Sequence, residues 1–290
     1  MQTKILGFCR YSVITHDGGA WKVGKNQPWD DYRATVLDPE RLAKRLYFLQ
    51  HMLLPSIAGQ TLPPAPDWFR LCLLVSDQLP SQAQAALMDV VAGYPWCQVV
   101  PVSAERGALG KAVNQALKAF VEEDDLFITF RIDDDDALGK RYLEHLQSYG
   151  SETFRGHAIS FPFGYKAWFD HAEDRYTRVA EHWQPKIALG LAYVGHRRDK
   201  VQHVFQAGGH NQVDRRSPLL TLPAGPMYLR TFHQDNDVLS VAKNPKQLAN
   251  SVEQRFAEGE PVALAGLDKH FSLSLAAAPS DELNAIGVKQ

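Results

Sequence analysis

Hydrophobic and polar positions divide the chain into two halves of different character. Up to about residue 138, short runs rich in β-branched and aromatic residues alternate with longer segments of helical spacing. The runs that predict strands are 5–13, 69–75, 98–102 and 126–130. Helices are predicted at 38–55, 80–91 and 109–121, the first with Asp38 as N-cap and an end near Pro55. This alternation predicts a mostly parallel sheet with right-handed crossovers, in which the run containing Pro101 is short or near an edge.

After residue 139 the pattern changes to hairpin-like strands and turns. Strands are predicted at 157–165, 176–180, 187–194 and 228–233, and helices at 200–205 and 245–258. No shift in composition marks a linker, so we expect one α/β domain over residues 1–290. It comprises a first half at 1–138, a second half at 139–275 that completes the site, and a loose tail at 276–290. A Gly- and Trp-rich loop at 15–32 is long enough to be functional or mobile.

Four consecutive aspartates, Asp133 to Asp136, follow the predicted strand 126–130. Adjacent carboxylates repel one another and are costly at the end of a buried strand. A solvated acidic turn is one interpretation. The other is a ligand site, because open α/β sheets bind ligands at the carboxyl ends of their strands. Oxygen ligands in that place suit Mg²⁺ or Mn²⁺ beside a diphosphate, whereas neither register of a calcium loop fits.

Composition excludes several classes of protein. The 290 residues are 45% hydrophobic and 22% charged, enough for a core, and the net charge of −2 gives no reason to expect a nucleic-acid partner. No apolar run approaches the ~20 residues that cross a bilayer, and residues 1–13 lack the pattern of a signal peptide. Three widely spaced cysteines, Cys9, Cys72 and Cys97, favour a reducing compartment, so we expect a cytoplasmic location.

Three segments resemble the GT-A fold of nucleotide-sugar glycosyltransferases. Residues 132–136 are similar to its hydrophobic-Asp-x-Asp-Asp element, 105–114 to the helix start before that strand, and 232–236 to a late histidine segment. A closer resemblance is to a rhamnosyltransferase family of bacteria, which carries a similar Arg-hydrophobic-Asp-Asp-Asp-Asp-Ala element. The early segments 45–48 and 54–61 also match that family, and the resemblance covers residues 7–236.

The resemblance implies roles for particular residues. The cation, Mn²⁺ or Mg²⁺, would be held by Asp133, Asp135 and His233. The nucleotide-sugar donor would lie in the first half, the acceptor in the second. Donor contacts are expected from Arg10, Asp77, Arg131, Asp133 and Asp134.

Structural roles are the alternatives for several of these residues. Asp77 could cap the helix that starts near Pro80, and Arg10 could form a surface salt bridge. Arg131 could serve as the counter-charge of the acids. Asp134 and Asp136 could face the acceptor or support the site from behind.

The predicted function is glycosyl transfer from a nucleotide-diphospho-sugar to a hydroxyl group of a carbohydrate or lipid-linked acceptor. The family name implies rhamnose, hence dTDP-rhamnose as the candidate donor and an inverting displacement. Such a displacement needs a general base, for which Asp214 is expected, with Asp199 and His210 as rivals.

Two other functions share parts of this pattern. A sugar-nucleotide nucleotidyltransferase would use the same sheet and acids, but the residues after Gly18 and Gly19 lack its Gly-x-x-x-Arg loop. A metal- or glycan-binding module without activity is the other alternative, and the intact acids and His233 speak against it.

Overall fold

The computed structural model describes residues 2–16, 28–171, 173, 175–234, 236 and 244–274. Most of the predicted loop 15–32, Asp235 of the late histidine segment and the predicted tail 276–290 lie outside these residues. The strands in chain order are β1 Lys4–Tyr11, β2 Phe69–Ser76, β3 Cys97–Val102, β4 Leu126–Ile132, β5 Ala137–Leu138, β6 Ala158–Ser160, β7 Phe163–Asp170, β8 Arg175–Trp183, β9 Ala192–His196, β10 Leu219–Thr221 and β11 Tyr228–Phe232. The α-helices are α1 Trp29–Val36, α2 Pro39–Phe48, α3 Leu54–Ala58, α4 Ser81–Val91, α5 Ala108–Lys118, α6 Tyr142–Gln147 and α7 Pro245–Phe256.

Two sheets form the frame of the described chain. The larger has the order β10-β6-β9-β4-β1-β2-β3, and its β4-β1-β2-β3 part is entirely parallel. This confirms the predicted parallel half, with β3 at an edge. From the second half, β9 inserts antiparallel between β4 and β6. The smaller sheet has the order β5-β11-β7-β8 and contains the predicted hairpin of β7 and β8.

The parallel strands are apolar on both faces because helices cover both. On one side Leu6 and Cys72 pack against Val113 and Leu117 of α5. On the other side, buried residues of α2 and α4 pack against alternate positions of β1 and β2. The division into a donor half and an acceptor half stays a prediction. No helix of the described chain is long and apolar enough to span a membrane.

The helix predicted at 38–55 begins as expected but ends later. Asp38 Oδ1 accepts a hydrogen bond from the Arg41 N–H at 2.9 Å, so the predicted N-cap is confirmed. The prediction that the helix stops near Pro55 is wrong, because a π-helical turn at Leu49–Leu53 leads directly into α3. Pro55 has no N–H for the carbonyl of His51, and the Ser274 N–H bonds to that carbonyl instead, at 3.0 Å.

Two predictions in the second half are also wrong. The run 157–165 is not one strand, because the chain leaves β6 at Phe161 and Pro162 and joins the other sheet as β7. Residues 200–205 form turns rather than a helix. The Val204 N–H donates to Thr129 Oγ1 at 3.0 Å instead of to a helical carbonyl, and the Val204 side chain is buried.

Candidate functional site

The four aspartates form a turn between the two sheets, which we call the acid turn (Asp133 to Asp136). It follows the end of β4 at Ile132, and β5 then joins β11 of the smaller sheet. The Asp136 N–H closes the turn on the Asp133 carbonyl at 3.3 Å. The acids therefore lie at the carboxyl end of a buried parallel strand, as the sequence predicts.

Arg45 of α2 neutralises the centre of the acid turn. Asp134, Asp135 and Asp136 are all buried, and so is Arg45 at 6% exposure. The Arg45 Nε donates to Asp134 Oδ2 at 2.8 Å, and its Nη2 contacts the other oxygen of the same carboxylate. The Nη1 donates to Asp135 Oδ2 at 3.0 Å. One guanidinium thus bridges two adjacent carboxylates, which removes most of their mutual repulsion.

Asp135 receives two further hydrogen bonds from the segment after β11. His233 Nε2 lies 3.1 Å and Asn236 Nδ2 3.0 Å from Asp135 Oδ2. Burial alone would raise the pKa of Asp135, but Arg45 and the His233 hydrogen bond hold it below its usual range. Burial lowers the pKa of His233 although Asp135 opposes this shift. A neutral imidazole that donates through Nε2 to an ionised Asp135 fits both directions.

Asp136 is held in a different way. Its Oδ1 accepts a hydrogen bond from the Thr231 N–H at 2.9 Å. Burial, with the charges of Asp135 and Asp133, raises the pKa of Asp136 well above its usual value, which favours the protonated acid. Burial also raises the pKa of Asp134 to about 7 against the opposing charge of Arg45. Both shifts reduce the negative charge of the acid turn, which helps four adjacent aspartates to stand together.

The three predicted metal ligands do not form one cluster. Asp135 and His233 bond to each other, whereas Asp133 Oδ1 faces the Arg10 Nη2 at 3.5 Å. Asp135 Oδ2 already receives three hydrogen bonds, from Arg45, His233 and Asn236. Within the described ranges there is no group of three or more His, Cys, Asp or Glu side chains that could hold a metal ion. As arranged, these residues do not fit a three-ligand cation site, and Mn²⁺ or Mg²⁺ stays a prediction.

Arg10 and Arg131 border the exposed end of the acid turn. Asp133 is its most accessible member, with a third of the side chain exposed. Burial lowers the pKa of Arg131, and the charge of Arg10 adds to this effect while Asp133 opposes it. Arg131 forms no direct ion pair with a carboxylate of the described chain, but the charge of Asp133 acts on it, so its predicted alternative as a counter-charge of the acids stays open. The two guanidinium groups and Asp133 are thus neighbours at the sheet edge.

Asp77 lies at the same sheet edge, two strands away from the acid turn. It follows β2, its N–H donates to the Val102 carbonyl at 3.0 Å, and its side chain is exposed. It borders a cleft of about 480 Å³ between α4 and β3. The start of α4 has no side-chain cap, so Asp77 does not play the predicted alternative role of a helix cap.

Neither predicted carboxylate base is free. Asp214 lies in a short 3₁₀ segment, is 43% exposed and binds Lys186 Nζ at 3.0 Å. That hydrogen bond lowers the pKa of Asp214. Asp199 binds the Arg155 guanidinium at 2.5 and 2.9 Å, which lowers the Asp199 pKa as well. Both groups are weak proton acceptors in these pairings.

His210 is the rival base that lies near the acid turn. Its Nδ1 is 2.8 Å from the Lys186 carbonyl, which can only accept, so Nδ1 carries the proton and Nε2 keeps its lone pair. Burial lowers the pKa of His210, and its charged neighbours are Arg131, Arg230 and Asp133. His210 thus lies near residues predicted to contact the nucleotide-sugar donor. Lys186 links it to Asp214, because the Lys186 carbonyl bonds to His210 and the Lys186 ammonium bonds to Asp214.

The early family segment at 54–61 supports the acid turn from behind. Ser56 Oγ accepts the Leu138 N–H at 3.1 Å. Gln60 Nε2 donates to the Gly139 carbonyl at 2.8 Å, and its Oε1 accepts the Leu143 N–H at 2.9 Å. These side chains fix the backbone directly after the acids. The roles of Arg45 and Asn236 at Asp135 were missed by sequence reasoning, although both residues lie in segments that carry the resemblance.

The sequence matches one family model, described as "Putative rhamnosyl transferase", over residues 4–246. No curated protein sequence matches the chain. Similar solved structures include residues 1–349 of S. aureus TarS, with a TM-score of 0.39 and 13% identity over 79% of this chain and 60% of that chain. A second S. aureus TarS structure has a TM-score of 0.40 and 13% identity over 92% of this chain and 42% of that chain. The inositol-1-phosphate CTP transferase from T. maritima has a TM-score of 0.32 and 11% identity over 89% of this chain and 97% of that chain. The chain thus spans less than two thirds of either TarS chain.

Proposed function

Because the chain belongs to the family described as "Putative rhamnosyl transferase", we propose that it transfers a sugar from a nucleotide-diphospho-sugar to a hydroxyl group of a carbohydrate or lipid-linked acceptor. One structural observation supports the proposal independently of the family match. A preorganised acid turn stands at the carboxyl edge of a parallel sheet, and two arginines border its exposed end. Sheet edges of this kind are where open α/β folds bind nucleotides.

The donor would lie across this edge. The guanidinium N–H groups of Arg10 and Arg131 can donate hydrogen bonds to the oxygens of the diphosphate. Planar guanidinium groups suit phosphate oxygens because they bind them in a bidentate way. Asp133, the exposed acid, can accept hydrogen bonds from sugar or ribose hydroxyls. Asp77 would contact the nucleoside, and Asp134 would act indirectly, because Arg45 occupies its carboxylate.

We assign the general base to His210 rather than to Asp214. The acceptor oxygen attacks the anomeric carbon, the bond from that carbon to the diphosphate oxygen breaks, and the acceptor proton passes to His210 Nε2. Burial keeps this imidazole neutral and able to take the proton. The nucleoside diphosphate leaves with the bonding electrons, and the arginines stabilise its charge.

Three finer points are proposals with narrower support. Rhamnose as the sugar, with dTDP-rhamnose as donor, rests on the family description. Mn²⁺ or Mg²⁺ rests on the resemblance and on the oxygen-donor chemistry of Asp133, and no step above depends on it. A cytoplasmic setting is supported by the three free cysteines.

Nucleotide binding tests the donor site directly. The melting temperature of the full chain would be measured alone and with UDP, GDP, dTDP or CMP, in each case once with Mn²⁺ and once with EDTA. A nucleotide at 100 times its dissociation constant stabilises the folded state by about 2.7 kcal/mol. We expect one diphosphate to raise the melting temperature, and Arg131→Gln to reduce the shift. Arg175→Gln, an exposed arginine at the start of β8, is the matched control and should keep it.

The outcomes separate the proposals. No shift with any nucleotide, in protein shown to be folded, would contradict the donor site. A shift of equal size in EDTA would refute the metal proposal and leave the donor site intact.

The base assignment is tested with a nucleotide-sugar that carries the nucleoside diphosphate so identified. Release of the nucleoside diphosphate would be followed with water as acceptor. We expect His210→Gln to lower the rate roughly 100-fold or more and to abolish the acidic limb of the pH profile. Asp214→Asn should have a smaller effect, through Lys186. If Asp214→Asn is the more damaging change and alone alters the profile, the assignment to His210 is wrong.

A further inference from the structure

A second cleft, of about 600 Å³, opens between the smaller sheet and the end of α7. We call it the arginine cleft. It is bordered, among others, by Lys166, His182, Trp183, Gln184, Arg230 and Arg255. Successive side chains of β11 point to opposite faces. The Thr231 hydroxyl bonds to the Tyr176 hydroxyl inside the sheet packing, whereas Arg230 and Phe232 border the cleft.

Arg230 and Arg255 of this cleft both contact the aromatic ring of Phe232. The Cζ atoms of Arg230 and Arg255 lie 4.8 and 5.4 Å from the centre of the Phe232 ring. Neither guanidinium forms an ion pair with a carboxylate of the described residues. The Arg255 Nε is buried, and no described residue forms a hydrogen bond with it. Two like charges held together with an unsatisfied donor are unfavourable in the free protein, and a bound anion would relieve both.

The fold holds Arg255 in this position. Lys166 of β7 is buried, and its Nζ donates to the carbonyls of Arg255 and Glu258 at 2.6 and 2.5 Å. This ammonium caps the C-terminal end of α7, where unpaired carbonyls and the helix dipole favour a cation. Glu181 and Glu258 also border the cleft, but neither forms an ion pair with the two arginines.

Trp183 provides an apolar wall beside these charges. It is the last residue of β8 and 57% exposed, one of three large hydrophobic residues exposed in the described chain. A large aromatic face left in water at the mouth of a cleft indicates a binding surface. An indole offers wide contact area at low entropic cost, and the C–H face of a sugar ring packs well on such a surface.

Arg230 connects the arginine cleft with the surroundings of the proposed general base. Arg230 Nη1 donates to Gln184 Oε1 at 3.2 Å. Two residues further on, the Lys186 carbonyl accepts the hydrogen bond from His210 Nδ1. Arg230 also precedes Thr231, whose N–H bonds to Asp136 of the acid turn. The charge of Arg230 also acts on His210, so the cleft and the proposed base lie near each other.

We propose that the arginine cleft binds the acceptor, and that this acceptor is a glycan with an anionic substituent. A phosphate or carboxylate group of the glycan pairs with Arg230 and Arg255, while a neighbouring sugar ring packs on Trp183. The identity of the ligand as an acceptor rests on the proposed glycosyl transfer. The recognition of an anionic sugar rests on the cleft alone.

Binding of simple anionic sugars tests the cleft in the full chain. Glucose 6-phosphate, glucuronate, glucose and inorganic phosphate would be titrated by calorimetry into the wild type, Arg255→Gln, Trp183→Ala and the control Arg175→Gln. We expect saturable binding of the two anionic sugars and much weaker binding of glucose. Arg255→Gln should weaken anionic-sugar binding roughly tenfold or more, as expected for the loss of a charged hydrogen bond. Trp183→Ala should weaken binding of glucose 6-phosphate but not of inorganic phosphate.

Several results would overturn the proposal. These are glucose binding as tightly as glucose 6-phosphate, anionic sugars failing to bind the folded wild type, or Arg255→Gln binding like the control. Equal affinities for phosphate and glucose 6-phosphate, unchanged in Trp183→Ala, would refute the role of the sugar ring. Melting temperatures measured with nucleotides on the same samples distinguish a failure of the donor site from a failure of the acceptor cleft. Anionic-sugar binding without any nucleotide shift contradicts the donor site only, whereas a nucleotide shift without anionic-sugar binding contradicts the acceptor cleft only.

Discussion

Replacing Arg45 by methionine should be among the most damaging single changes outside the proposed donor site. Methionine keeps much of the aliphatic stem and removes the guanidinium. The change deletes two hydrogen bonds of 2.8 and 3.0 Å and a further contact, all to the buried carboxylates of Asp134 and Asp135. Asp135 keeps its donors His233 and Asn236, but Asp134 loses both of its contacts with Arg45.

The magnitude follows from the burial of these groups. Breaking a buried ion pair by removing one partner typically costs about 3–5 kcal/mol, because the remaining charge is left uncompensated. We expect Arg45→Met to lower the free energy of unfolding by about 4 kcal/mol on this basis. Adding Asp134→Asn removes the carboxyl group that must otherwise be buried without its partner or take up a proton, so the double variant should recover roughly 2 kcal/mol of that loss. Arg141→Met is the matched control. Arg141 is 61% exposed and pairs with the exposed Glu144, so its loss should change the stability far less than the loss of Arg45.

Urea denaturation followed by circular dichroism measures each difference, with the midpoint and the slope fitted separately. A loss below about 1 kcal/mol for Arg45→Met would refute the reasoning, because it would equal the cost of a surface pair. Additive effects of Arg45→Met and Asp134→Asn, within about 0.5 kcal/mol, would show that the two groups do not interact.

Two further predictions concern the surroundings of the acid turn. Gln60→Leu leaves the Gly139 carbonyl and the Leu143 N–H without their partner, so we expect a loss of roughly 2–5 kcal/mol in urea, against little change for the exposed Gln98→Leu. An unchanged midpoint for Gln60→Leu would contradict the supporting role of the early family segment. The pKa of Asp136 is raised in the folded state, so its stabilising contribution is complete below the unfolded value of about 3.9 and is lost as the pH rises towards the folded value. Asp136→Asn should therefore be as stable as the wild type at about pH 3.9 and more stable than the wild type at pH 8. The gain at pH 8 should be about 1.4 kcal/mol for each unit by which the folded pKa of Asp136 exceeds its unfolded pKa. A stability difference that does not vary with pH would contradict the raised pKa of Asp136.

The proposed site was only partly predictable, and the base candidates show why. The sequence favours Asp214 because it lies between the acids and His233 along the chain. In the folded protein its carboxylate is held by Lys186, while the imidazole of His210, four residues earlier, lies near Asp133. Position along the chain cannot distinguish them, because the 3₁₀ segment turns its residues towards different surroundings.

The sequence by itself determined the parallel half of the fold and the place of the acids. Apolar runs with helical segments between them specify buried parallel strands, because each run must bury both faces under the crossover helices. Asp133 to Asp136 therefore had to emerge at the carboxyl edge of β4. Only the tertiary structure decided how these charges are balanced. Arg45 lies 89 residues before Asp134 in the chain, and His233 lies 98 residues after Asp135. Periodicity reports whether a side chain is buried, whereas the partner that meets it in the interior depends on how the helices and the second sheet pack together.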